Sequence, residues 1–470
     1  MYSLFVLGLS SALFALVLTP LVKNLAWHFG FMDHPDEGRK IHTAPIPRVG
    51  GLAILASVLA AYVVLFAVRM SSGHIIWEGM PLILRVAPAF AIVFLVGLVD
   101  DIVKLSPWIK LAAELVAAVM AWIGGIHVSS IAGHSFPGLL GLIVTLFWIV
   151  LCTNAINLID GLDGLAAGVS LFAMLTMFVG ALVGHNQAMA LAVLPFAGAL
   201  LGFLRYNSYP ATIYLGDCGS LSLGFLLGCF GAVWSEKSAT VLGLTAPVLV
   251  MAVPLLDVLT SVVRRMLRGQ PIFSADRNHI HHKLLAMGLH PRAAGLLVYS
   301  LCALGAAASL FLTIYGDHYR GFMIVIVCLA AWLGIQQLNY REFHIAGHMF
   351  LRGGFRSVLS AQLALDQLES DIRGKESWQQ CWDLFCKAAP RYGFSGAMLE
   401  AEEADLEWGT QTGWEIRVEL PGGGSVYFWR TANPGTSNAA AIMFVDSVVR
   451  TLGTKLITTP CMERICTHGK

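Results

Sequence analysis

Residues 138–183 read GLLGLIVTLFWIVLCTNAINLIDGLDGLAAGVSLFAMLTMFVGALV, two apolar runs joined by a short polar turn. Each run is about 20 residues long, the length at which an α-helix covers the roughly 30 Å hydrocarbon core of a bilayer. Backbone crossing lipid must satisfy its own polar groups, so both runs are predicted to be membrane helices. The join carries Asn154, Asn157, Asp160 and Asp163, recurring every three residues, which puts four amide and carboxylate groups roughly on one side of a helix end or tight turn. A plain turn broken by Gly161 and Gly164 is the simpler alternative. Such a turn needs no periodic set of oxygens, whereas a magnesium–phosphate site does.

The rest of the chain has the same character. Of its 470 residues 57% are apolar and 13% charged, outside the soluble globular range of about 45–50% and about 25%. Scanning for apolar runs gives eleven candidate spans, near 2–22, 50–68, 86–103, 109–127, 138–157, 163–183, 188–204, 218–234, 242–265, 294–315 and 321–338. The first lacks a basic start and is followed by its basic residues, so it reads as a retained span and not a signal peptide. Lys23, Arg39, Lys40, Arg48, Lys104, Arg205, Arg264, Arg265, Arg268, Arg277, Lys283 and Arg292 fall on one set of loops, against Arg69, Arg85, Lys237 and Arg320 on the other. The positive-inside rule makes the first set cytoplasmic, with the N-terminus out and the C-terminus in.

From Asn339 the composition turns soluble. Trp378–Ala389 and 438–455 read as helices and 394–400, 413–419 and 425–430 as strands, preceded by an amphipathic stretch at Phe355–Ile372. The expected fold class is therefore an all-α polytopic membrane bundle over residues 1–338, with a small cytoplasmic α/β domain in a C-terminal extension over 339–470. The net charge of +1 gives no global argument for a nucleic-acid partner, and none is expected. Nine cysteines without a C-x-x-C pair read as reduced, with no disulfide framework and no zinc site.

The polar residues gather on the positive side. Span three ends in Asp100-Asp101 with Lys104 beyond; adjacent carboxylates suit a hard divalent cation or a general base, and the lysine can pair with a phosphate, against the bland reading of a solvated helix end. Between spans seven and eight lie Asn207, Tyr214, Asp217, Gly219 and Ser220. Asp217 can hold a cation there while amides at the start of the next helix receive a phosphate, a simple N-cap being the alternative. The longest loop holds Arg277, His279, His281, His282 and Lys283. Three imidazoles beside two cations suit phosphoryl oxygens; with no Cys near, zinc is disfavoured. The first loop adds Arg39, Lys40, His42, Arg48 and the pair Gly50-Gly51, either a basic contribution to the same site or a positive-inside anchor.

Taken together, Asp100-Asp101, the Asn154–Gly164 run, Gly216-Asp217-x-Gly219-Ser220 and Arg277-x-His279-x-His281-His282 resemble the polyprenyl-phosphate N-acetylaminosugar-1-phosphate transferases, the WecA/TagO-like family, with MraY more distant. The resemblance covers about residues 1–340. It implies a helical membrane bundle whose cleft opens to the cytoplasm of a bacterial plasma membrane. It also implies a reaction in which a polyprenyl phosphate attacks a UDP-N-acetylaminosugar, most simply UDP-GlcNAc, and releases UMP. The implied cofactor is Mg2+, with Mn2+ as a substitute, held by Asp217 with Asn157 and Asp100. Asp100 would activate the lipid phosphate with support from Asp101. Asp160 and Asp163 would orient nucleotide or sugar, with Asn154 in the same run, and Asn207 and Tyr214 would contact the nucleotide. Arg277, His279, His281 and His282 would bind diphosphate or sugar, with Lys110, Lys104 and Arg48 as phosphate partners. The inserted Ile280 and the Arg48-x-Gly50-Gly51 pattern are unlike the contiguous histidines of MraY. A homodimer is compatible with all of this. The competing class is a transporter or flippase, which would place ionisable groups near the bilayer midplane and not at span ends.

Overall fold

The computed structural model describes residues 2–33, 45–70, 72–128, 130–131, 134–135, 138–237, 245–267 and 279–315, then 329, parts of 364–375, and 377–401, 404–420, 424–430 and 438–458. Contacts divide the chain into two compact units, Met1–Tyr340 and Arg341–Lys470.

The first unit is helical. Its helices are α1 (Tyr2–Phe29), α2 (Gly50–Ala67), α3 (Gly73–Val103), α4 (Pro107–Gly124), α5 (Gly138–Ile159), α6 (Leu165–Val183), α7 (Gln187–Asn207), α8 (Gly216–Lys237), α9 (Thr245–Val250), α10 (Ala252–Leu267), α11 (Ile280–Ala286) and α12 (Pro291–Tyr315). Among the described residues nine helices, α1 to α8 and α12, are long and apolar enough to cross a membrane. The chain is a multi-pass membrane protein of the expected class.

Two of the eleven expected spans fare differently. The run 242–265 is two helices, α9 and α10, with a break at Met251. Pro254 has no N–H to donate to the carbonyl of Val250, which takes one bond from the helix ladder beside the break. The face of α10 that follows is also polar: Asp257, Thr260, Ser261, Arg264 and Arg265 are all buried, at the i, i+3, i+4, i+7, i+8 spacing of one helix side. The run 321–338 lies outside the described residues apart from Leu329, and so does most of Phe355–Ile372.

α8 is the enclosed helix, packed against α5, α3 and α2, while α1 shows Leu9, Leu13, Val17, Leu21 and Leu25 on its outer side, as lipid-facing surface requires. Small residues set the approach. A Cβ placed on Gly224 of α8 would lie 2.6 Å from Cα of Thr153 on α5. Pro195 in α7 frees the carbonyl of Leu191, and the hydroxyl of Tyr62 on α2 donates to it at 3.1 Å. The break is thus satisfied by a neighbouring helix.

The second unit has helices α13 (Trp378–Ala388) and α14 (Asn438–Thr458) and strands β1 (Phe394–Ala401), β2 (Ala404–Gly409), β3 (Trp414–Glu419) and β4 (Ser425–Arg430). The sheet is antiparallel with order β2-β1-β4-β3. Phe385, Tyr392, Phe394 and Phe428 surround Phe444 of α14 and form the core. β2 is the strand that sequence reading missed; it is an edge strand in which Leu406 and Trp408, packed against the core, alternate with Asp405 and Glu407. Six cysteines fall among the described residues of the two units, and all six are free and buried.

Overpacking a helix contact of this kind costs about 1–3 kcal/mol. Gly224→Val is therefore expected to lower the unfolding temperature in detergent, while Gly79→Ala, which meets nothing within 4 Å, leaves it unchanged or slightly raised. Equal behaviour of the two variants would contradict the close α5–α8 contact.

Candidate active site

The site forms where one end of α3, α4 and α8 meets the entry to α2. Ser106 caps α4, its hydroxyl accepting from the Trp108 amide, and Pro107 occupies the first turn, so Lys110 stands one turn into the helix. Its Nζ lies 3.2 Å from Oδ2 of Asp100 and 2.9 Å from Oδ2 of Asp217. Asp100 also accepts the backbone N–H of Leu105 at 2.6 Å, which closes the α3–α4 turn. Arg48 approaches the other oxygen of Asp217 at 3.7 Å. It is brought there by backbone bonds from Tyr214 to Pro47 and from Gly50 and Gly51 back to Tyr214 and Leu215. Gly216 (φ +74°) makes the turn, and a Cβ on it would sit 2.0 Å from the carbonyl of Arg48.

Asp101 has a different post from its neighbour. Its two oxygens accept the amides of Asp217 at 2.7 Å and Cys218 at 3.0 Å, so it caps α8 from another helix. Those are amides at the helix start that the sequence reading reserved for a phosphate. Asp101 already supplies the negative charge that the helix end favours.

The Asn–Asp run closes the next side. Asn157 donates to Oγ of Ser220 at 2.9 Å, joining α5 to α8. Asp163 accepts the amide of Ala211 at 2.8 Å, and the buried Asn207 donates to the carbonyl of Ile213 at 2.9 Å, so both shape the 208–215 loop. Burial drives the Asp160 carboxyl well above the usual carboxylate range; Asp217 adds to the rise, and Arg48 opposes it. Asn154 points elsewhere, donating to the carboxylate of the buried Glu114 on α4. Lys104 stays exposed at the end of α3.

The histidine segment joins through α11. His279 and His281 stack in parallel with centroids 5.9 Å apart, and His281 contacts His282 at 4.3 Å. The ring of His281 packs on Gly161, whose Cβ, if present, would lie 2.5 Å from Nε2. Asp257 of α10 binds Nδ1 of His279 at 3.1 Å. Arg277 lies outside the described residues, as do Arg39, Lys40 and His42.

Of the expected residues, the structure thus brings Asp100, Asp101, Lys110, Asp217, Arg48, Asn157, Asp160, Asp163, Asn207 and the histidines to one end of the bundle. Sequence reasoning passed over Glu114 and the buried face of α10, where Asp257 and Ser261 were not singled out and Arg264 was counted only as a loop cation. The latter had a readable signal, its helical spacing inside a run counted as apolar. Among the described residues no three His, Cys, Asp or Glu side chains form a ready metal cage. The donor set nonetheless fits a hard cation: oxygens of Asp100 and Asp217 already converge on one cationic centre, and Asn157, its nitrogen committed to Ser220, has its amide oxygen left to offer. Magnesium is commonly bound by one or two carboxylates, with phosphate and water completing the shell.

Burial, aided by His282 and His279, pushes the His281 imidazole down to about 4. An unfolded histidine protonates near about 6.5. Between those values the unfolded chain binds more protons, so stability falls as pH drops. His281→Gln removes this component, and the variant is expected to gain a few kcal/mol relative to wild type between pH 7 and pH 4 in thermal unfolding. A difference independent of pH would contradict a buried neutral ring.

The glycosyl transferase family 4 profile matches residues 82–235, a span that runs from α3 through most of α8. The chain is 35% identical over 343 residues to the "probable undecaprenyl-phosphate N-acetylglucosaminyl 1-phosphate transferase" of Bacillus subtilis (strain 168), covering 71% of this chain and 93% of that protein. It is 34% identical to the decaprenyl-phosphate N-acetylglucosaminephosphotransferase of Mycolicibacterium smegmatis, over 65% of this chain and 81% of the relative. It is 30% identical to the undecaprenyl-phosphate alpha-N-acetylglucosaminyl 1-phosphate transferase of Escherichia coli (strain K12), over 69% and 88%. With its carboxylates, lysine and histidines gathered at the end of a helical membrane bundle and similarity running through nearly the full length of such a relative, this chain belongs to glycosyl transferase family 4, in its WecA/TagO-like branch.

Proposed function

We propose that this protein transfers N-acetylglucosamine-1-phosphate from UDP-N-acetylglucosamine to undecaprenyl phosphate or another polyprenyl phosphate, releasing UMP. This is the first membrane step of cell-envelope polysaccharide synthesis. The observation that carries the reading is the Asp100–Lys110–Asp217 cluster, with Arg48 beside it, at one end of the helical bundle. The names of the relatives supply the donor and acceptor classes. The basic loops at this end, with Arg48, Lys104, Arg205 and Arg292, support a cytoplasmic site in a bacterial inner membrane.

An oxygen of the lipid phosphate attacks the β-phosphorus of the donor. A new P–O bond forms, the bond from that phosphorus to the oxygen bridging the α-phosphate breaks, and that oxygen leaves with UMP. The lipid phosphate is already a competent nucleophile, so the protein has to position three phosphates and offset their charge. Lys110 and Arg48 supply positive charge, and Asp100 orients the attacking phosphate. Asp160 and the histidines face the donor. Asp101, Asp163 and Asn207 hold the backbone that carries these groups, through the bonds described above. Asp217, Asp100 and the amide oxygen of Asn157 would hold Mg2+, which when bound neutralises and aligns diphosphate oxygens.

Purified protein incubated with undecaprenyl phosphate, Mg2+ and a panel of UDP-aminosugars is expected to release UMP fastest with UDP-GlcNAc, to stop on chelation and to recover with Mg2+ or Mn2+. Asp217→Asn and Asp100→Asn are each expected to lower turnover by about 10²–10³-fold or more while the protein stays monodisperse. Substantial activity in both variants at saturating metal would force a different site. Absence of UMP release from the wild type would overturn the function.

A further inference from the structure

Asp257 lies within α10 and is fully buried, 0% exposed. A carboxylate in such a place is costly unless its oxygens are occupied. Both are occupied: Oδ2 meets Nδ1 of His279 at 3.1 Å, and Oδ1 accepts the backbone N–H of Ile280 at 2.9 Å. One bond sets the rotation of an imidazole, and the other sets the start of the helix that follows it. His279 is the N-cap of α11, yet its own side chain caps nothing; Asp257 satisfies the first amide from a different helix.

The rest of the α10 face supports this arrangement. Ser261 Oγ lies 3.3 Å from the same Nδ1, and Nη2 of Arg264 donates to that hydroxyl at 3.0 Å. Residues 257, 261 and 264 share a helix side, so one element presents a carboxylate and a hydroxyl to one ring and backs the hydroxyl with a guanidinium. An ionised carboxylate only accepts, so the Asp257 contact places the His279 proton on Nδ1 and leaves Nε2 for chemistry outside the pair. The ring of His279 lies at 4° to that of His281, and His281 packs on Gly161, next to Asp160. Contact is therefore continuous from Asp257 through two imidazoles to the turn that bears Asp160 and Asp163.

We infer that Asp257 is a positioning residue of the transfer reaction: it sets the tautomer and orientation of His279 and, through the stacked His281, the seat of the histidine segment against the Asp160 turn. Nε2 of His279 is then free to take up a proton and, as the imidazolium that Asp257 stabilises, to donate to a phosphoryl oxygen of the nucleotide-sugar donor. This rests on the function proposed above, with Asp257 acting through His279 and touching no substrate.

Asp257→Asn keeps the shape, removes the charge and lets the amide either donate to Nδ1 or accept from it. The expected result is a fall in kcat of about 10–100-fold, the usual scale for a group that orients a ligating histidine, with a much smaller change in KM for the UDP-sugar. In a double-mutant cycle, Asp257→Asn combined with His279→Ala is expected to lose no more than His279→Ala alone. Ser261→Ala, which removes only a neutral hydroxyl and leaves the Asp257–His279 pair in place, is expected to show a smaller loss that also vanishes in the His279→Ala background. Losses that multiply, or an Asp257→Asn variant with wild-type kcat, would overturn the inference. Should Asp257→Asn fail to survive extraction, the Ser261 cycle decides by the same criterion. Nitrogen NMR of 15N-histidine-labelled protein gives a readout free of turnover: Nδ1–H is expected in the wild type and a shift toward Nε2–H in Asp257→Asn. An unchanged tautomer overturns the inference, whereas a wild type that releases no UMP yet shows the tautomer shift counts against the proposed function and not against the Asp257–His279 link.

Discussion

The ammonium of Lys110, set between the carboxylates of Asp100 and Asp217, is the contact on which the rest depends. It ties the end of α3 and the first turn of α4, neighbours in the chain, to the start of α8, whose Asp217 lies 107 positions beyond Lys110. All three groups are mostly shielded from solvent, at 22%, 12% and 11% side-chain exposure. Removing one partner from a buried pair of this kind costs about 3–5 kcal/mol, chiefly because the other charge is left behind. Without the lysine, two carboxylates would face each other in a low-dielectric wall, which neither the fold nor an anionic substrate would tolerate. In the function proposed above, the same lysine presents fixed positive charge to the arriving phosphates.

Backbone proximity makes that contact achievable. A Cβ on Gly97 of α3 would lie 2.6 Å from the carbonyl of Asp217, and one on Gly51 of α2 would lie 2.4 Å from the amide of Gly219. α2 and α3 therefore press against the first turn of α8 with no side chain between. Asp101 then reaches two amides of that turn, and Asp217 is held within reach of Lys110 and Arg48. The adjacent aspartates thus divide the work, Asp100 bonding the lysine and Asp101 fixing the helix that carries Asp217. The histidine segment, anchored by Asp257, packs on the Asp160 turn through His281 and Gly161, and Asp217 and Arg48 act on the Asp160 carboxyl of the same turn.

Much of this was legible in one dimension. Spans of about 20 apolar residues announce themselves because lipid leaves the backbone no alternative to helix. Asp100, Asp160, Asp217 and His281 stood out because polar groups at span ends on one side of a membrane are rarely idle. A break in α9–α10 is compatible with Pro254, but an apolar window averages over a proline and over a polar stripe alike, so Asp257 and Ser261 went unread and Arg264 was taken for a loop cation. β2 was missed although Leu406 and Trp408 alternate with Asp405 and Glu407, because so short a run set among Glu402, Glu403 and Thr410 carries too few periods to stand out.

The amino-acid order by itself determined the class of molecule, most of its helices and the group of residues from which the site is drawn, because hydropathy and polar clustering act locally along the chain. Only the tertiary structure decided what each polar group does. Asp100 and Asp101 are neighbours with different partners, Asn154 turns to Glu114 while Asn157 turns to Ser220, and Asp257 rather than a loop residue holds His279. The physical reason is that a hydrogen bond or ion pair is decided within about 3 Å by whichever group the packing of other helices delivers, and that delivery depends on contacts between residues separated by tens to more than a hundred positions.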